Sequence, residues 1–89
     1  MSSKSKKPLI TRQQLRAARR ALSAFPGWKV NIEEDRDEKV TRLYPREPES
    51  RTAFEPFLVR PGMREDAVTL GFRKAIEAAI QEMEGADGV

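Results

Sequence analysis

Polar and apolar positions along the chain change period several times, and each change marks an element. Over residues 10–25 the apolar positions recur at helical spacing, with Leu15, Ala18, Leu22 and Phe25 on one stripe and Arg12, Arg16, Arg19 and Arg20 on another. Thr11 is a suitable N-cap and Gln14 stands three residues later, the spacing of a capping box. Ile10 and Leu15 are placed as a hydrophobic staple, and Pro26-Gly27 ends the helix. From residue 28 to 33 the period drops to two, with Trp28, Val30 and Ile32 facing one way and Lys29, Asn31 and Glu33 the other, which predicts a half-buried strand. A charged turn over residues 34–38 leads to a return strand over 39–44, carrying Val40, Leu43 and Tyr44.

Residues 45–52, with Pro45 and Pro48, read as a polar loop. A third strand falls within residues 53–60. Pro56 has no N–H to donate, so that strand is either an edge strand or shortened to residues 57–60. Residues 63–84 then predict a long helix whose apolar face is Val68, Phe72, Ala75, Ile76, Ala79 and Met83, with Ile80 at its margin. Glu65 and Asp66 suit its N-terminus and Gly85 a C-cap. Leu70 falls on its polar side, and Gly71 marks a close packing contact. The expected fold is α+β in α-β-β-β-α order: a small antiparallel sheet of two to three strands with an N-terminal and a C-terminal helix packed on one face. The expected division is a flexible basic arm over residues 1–9, one domain over 10–85 and a frayed tail over 86–89.

Charge changes this picture from fold to partner. The first carboxylate in the sequence is Glu33. Before it stand eight cations, Lys4, Lys6, Lys7, Arg12, Arg16, Arg19, Arg20 and Lys29; from Glu33 onward nine Lys/Arg face fourteen Asp/Glu. The net charge of +3 therefore conceals a cationic first third and an acidic remainder, and such asymmetry concerns binding partners. A helix that is merely solvated usually mixes signs to gain i,i+4 pairs, and residues 10–25 contain no acid. Guanidinium groups on one helical face, preceded by lysines, suit a phosphate backbone. The leading expectation is a non-enzymatic nucleic-acid-binding protein using Lys4, Lys6, Lys7, Arg12, Arg16, Arg19 and Arg20, with Lys29 extending the patch along the first strand. The alternative is an interaction protein, of the kind carried by phages and mobile elements, that binds an acidic surface of a host protein and modulates or inhibits it. A homodimer would bury more apolar surface in so short a chain.

Candidate chemistry is sparse. With neither histidine nor cysteine, Ser–His and Cys–His nucleophile pairs, thiolate ligands and disulfides are excluded within this sequence. Glu33, Glu34, Asp35, Asp37 and Glu38 are close enough in sequence to interest Mg²⁺ or Ca²⁺, but they lack the alternating ligands, glycine and late glutamate of an EF-hand loop. Asp37-Glu38-Lys39 is similar to the acid–x–lysine end of some metal-dependent nucleases, whose further acid lies at a longer spacing than Glu33. Trp28, Tyr44, Phe54 and Phe57 are read as core before they are read as stacking platforms. No catalytic residue, metal or cofactor is assigned, no apolar run reaches membrane-spanning length, and a cytoplasmic location is the default expectation.

Two resemblances are limited in extent. Residues 11–22 resemble the first helix of phage-repressor-type helix-turn-helix domains, and the likeness stops at Phe25-Pro26-Gly27-Trp28, where a strand pattern begins. The predicted element order resembles that of double-stranded-RNA-binding domains. That family's lysine cluster is replaced here by Met63-Arg64-Glu65-Asp66, and its loop histidine has no counterpart. Fold order does not transmit function, so neither resemblance assigns a family.

Overall fold

The computed structural model describes residues 8–50 and 52–87, so the arm lysines Lys4, Lys6 and Lys7 lie outside the described residues. Helix α1 (Arg12–Leu22) is followed by strands β1 (Lys29–Asp35), β2 (Val40–Arg46) and β3 (Phe57–Val59) and by helix α2 (Glu65–Asp87). The strands form one antiparallel sheet in the order β1-β2-β3, which is the expected α-β-β-β-α fold with a small open sheet.

The capping box of α1 is formed. Thr11 Oγ1 accepts from Gln14 N and Gln14 Oε1 accepts from Thr11 N, both at 3.0 Å. The other end of the same amide holds the fold together: Gln14 Nε2 donates to the carbonyls of Met63 at 3.0 Å and Arg60 at 3.3 Å, fastening α1 to the β3–α2 connection. Each helix boundary differs from expectation by a residue or a few. In particular α2 continues through Gly85 to Asp87, so Gly85 is helical and not a cap.

The buried side of α1 is not the stripe of large residues. Gln14, Ala17, Ala18 and Ala21 are buried, while Leu15, Leu22 and Phe25 are half-buried at the margin of the core. Small side chains let the two helix backbones approach, and Thr69 Oγ1 of α2 donates to the Ala17 carbonyl at 3.0 Å across that contact. Helix α2 buries Val68, Phe72, Ile76 and Ala79, much as its periodicity predicts, and lies over β2 and β3. There it meets Leu43 and Val59. Gly71 brings the helix so close to β3 that a methyl group in its place would overlap the Phe57 ring.

Several strand assignments change: Glu34 and Asp35, expected in the turn, belong to β1, and Trp28 and Lys39, expected in strands, lie outside them. Residues Pro45 and Arg46, expected in a loop, belong to β2, where Pro45 pairs with Val30 and is fully buried. A proline is accommodated in this central strand because β3 pairs only with Thr41, Arg42 and Leu43, leaving the flank beside Pro45 open. Ile32 shares the helix-facing side with Val30 but is 45% exposed, because α2 covers β2 and β3 and leaves edge strand β1 uncovered.

Candidate nucleic-acid interface

At about 100° per residue, Arg12, Arg16, Arg19 and Arg20 fall within an arc of about 100°, centred nearly opposite the buried Gln14, Ala17, Ala18 and Ala21. That places the arginines farther from the core than their separation from Leu15 and Leu22 alone implies. All four are exposed. Among the described residues none of them forms an ion pair or a side-chain hydrogen bond. From Arg12 to Arg20 the stripe runs about 12 Å at 1.5 Å per residue. Over that length duplex DNA carries roughly seven phosphate charges, so the stripe is long enough to meet more than one.

The placement of the charges matters as much as their number. Arg19 and Arg20 occupy the last turn, where the helix dipole favours cations. Arg12 occupies the first turn, where the dipole disfavours them, and no acid is present there to compensate. Arg12 thus stands where intrinsic helix stability would favour an acid.

Three of the five hairpin acids, Glu33, Glu34 and Asp35, are engaged away from α1. Arg42 donates to Glu33 Oε1 at 3.2 Å and to Asp35 Oδ2 at 2.8 Å, and Tyr44 Oη donates to Glu33 Oε1 at 3.2 Å. Glu34 pairs with Arg36 at 3.0 Å, and its other oxygen accepts from Leu9 N at 2.6 Å. The backbone N–H of Glu38 and the Arg42 guanidinium hold the Asp35 carboxyl below its ordinary range. Partial desolvation and the bond to Glu33 push the Tyr44 hydroxyl upward. This arrangement closes the hairpin upon itself. Among the described residues no group of three or more acids is placed to hold a metal ion.

Lys29 is not brought together with the α1 arginines. Val30 packs toward the core, so its neighbour Lys29 projects from the opposite side of the sheet, directly across from Arg46. The two cations flank a shallow hollow of about 220 Å³ shared with Asn31, Glu47, Pro48 and Ser50. Arg46 has no ion pair among the described residues either. It was not legible as a neighbour of Lys29 because the pairing depends on β2 continuing past Pro45.

The expected core aromatics divide. Phe54 is buried and meets the half-buried Trp28 at a ring-centroid distance of 6.1 Å and an interplanar angle of 36°. Phe57 rests on Gly71. Tyr44 instead lies on the outer side of the sheet with Arg42 and Glu33. No helix among the described residues is long and apolar enough to cross a membrane. Comparisons with protein-family models, curated proteins and solved structures find no match in any of the three.

Proposed function

We propose that this protein is a non-enzymatic nucleic-acid-binding protein whose principal contact surface is the arginine face of α1. The observation that carries this reading is the stripe of Arg12, Arg16, Arg19 and Arg20, exposed and without an ion pair among the described residues. Arginine presents a planar donor fork that matches phosphate, and displacement of condensed counterions would drive sequence-independent binding. Lys4, Lys6 and Lys7 add charge next to the same helix in sequence. Lys29 and Arg46 form a separate cationic pair on the other side of the sheet, so their contribution is secondary.

An acidic protein surface could exploit the same guanidinium groups. The two readings separate in affinity capture from cells with and without nuclease, alongside gel-shift assays on duplex DNA, duplex RNA and single strands. Nuclease-sensitive capture and a shifted nucleic-acid band are expected. Nuclease-resistant protein capture with no shifted band in any of the three probes would replace this reading with the protein-partner one.

A further inference from the structure

The β1 edge of the sheet carries an inference that goes beyond nucleic-acid binding and does not depend on it. Among the described residues β1 pairs only with β2, so its other edge is unpaired over seven residues. The opposite edge strand, β3, has only three. Sheets usually protect a long free edge with charges, bulges or a covering segment. Here the charges are segregated: Lys29 begins the strand, Glu33, Glu34 and Asp35 end it, and the exposed Ile32 is its central residue.

We propose that β1 pairs with β1 of a second copy of this chain, antiparallel and centred on Ile32. A two-fold axis there pairs all seven residues. It sets Lys29 opposite the partner's Asp35, Val30 opposite the partner's Glu34, Asn31 opposite the partner's Glu33 and Ile32 opposite its own equivalent. No acid then faces an acid, and each exposed isoleucine is covered by the other. A parallel in-register pairing would instead stack each acid on its like, which is unfavourable. Centring on Glu33 would oppose that acid to itself. Glu34 is already engaged by Arg36 and Leu9 N, which suits it to a position facing Val30.

Directly opposed residues in antiparallel strands project to the same side of the sheet. The product is a six-stranded sheet of order β3-β2-β1-β1-β2-β3 with the helical layers of both copies on one side.

The chain has no cysteine, which makes cross-linking a clean test. Light scattering on the full chain should give twice the 10.1 kDa chain mass. Opposed residues in such strands have Cβ atoms about 4.5–5.5 Å apart, close to disulfide reach. Ile32→Cys should therefore oxidise to a covalent dimer, while Leu70→Cys and Leu58→Cys, at the two other exposed large apolar residues among those described, should not. Ile32→Lys and Lys29→Glu should each weaken self-association at least tenfold while leaving the circular dichroism spectrum unchanged. A monomeric wild-type chain would overturn the proposal, as would a dimer that cross-links through Leu70 or Leu58 and tolerates Ile32→Lys. A monomer that dimerises only after removal of residues 1–7 would also overturn it, assigning the edge to the chain's own N-terminal segment.

Discussion

Arg42 Nη2 donates to Asp35 Oδ2 at 2.8 Å, across the β1–β2 pair. This bond keeps a hairpin carboxylate occupied within the hairpin, on the outer side of the sheet. It also predicts a pH signature. The Asp35 carboxyl sits below its ordinary 3.8, held there first by the Glu38 N–H and then by Arg42. A lowered folded-state value contributes stability that is present above the unfolded value and is lost as pH falls through the folded one. Asp35→Asn should therefore be less stable than wild type at neutral pH, and the gap should close below about pH 4. Urea denaturation across a pH series reads this directly; parallel profiles for the two proteins would contradict it.

Gly71 and Gly85 lie in the same helix but should respond oppositely to alanine. Alanine favours a helix interior by about 1 kcal/mol over glycine. At Gly85 nothing lies near the added methyl, so Gly85→Ala should stabilise by up to that amount. At Gly71 the methyl meets the Phe57 ring, and moving that ring off the helix should outweigh the gain, for a net loss of about 1–2 kcal/mol. Thermal melts of the two variants should shift in opposite directions.

Gln14 connects two parts of the chain through one amide. Replacing it with alanine removes half of the capping box and leaves the Met63 and Arg60 carbonyls without their side-chain donor. A loss of about 2–3 kcal/mol is expected by chemical denaturation. Gln14→Glu should fail to rescue it, because a carboxylate restores the acceptor for Thr11 N but cannot donate to the carbonyls.

Thr41 is fully buried on the helix-facing side of β2, and its hydroxyl has no hydrogen-bond partner among the described residues. Valine has nearly the same shape and no hydroxyl to desolvate. Thr41→Val should raise stability by about 1 kcal/mol in urea denaturation; a loss would show that the hydroxyl is satisfied in solution.

What could be read from the sequence is what local chemistry controls. The Thr11–Gln14 capping box spans three residues, and the core face of α2 follows from periodicity alone. The close approach at Gly71 was legible because glycine inside a helix needs a reason. What escaped depends on distant partners. Pro45 looked like a loop residue because nothing in its neighbourhood reveals where β3 stops pairing. Ile32 looked buried because alternation specifies a side of the sheet but not whether a helix covers it. In α1 the leucines dominated the apolar pattern, yet the alanines are buried, since helix–helix distance depends on the surface α2 offers. The four arginines were visible as a stripe, whereas the pairing of Arg42 with Glu33 and Asp35 depends on strand register.

The central claim is that the cationic face of α1 meets phosphate. Salt titration of duplex binding by wild type and by the Arg12→Ala, Arg16→Ala, Arg19→Ala, Arg20→Ala quadruple variant tests it most directly. Wild-type affinity should fall linearly with salt on logarithmic axes, and the variant should bind more weakly with a slope shallower by about 3–4, close to 0.9 for each phosphate that is no longer neutralised. Absence of wild-type binding at low salt, or equal affinity and equal slope in the two proteins, would contradict it.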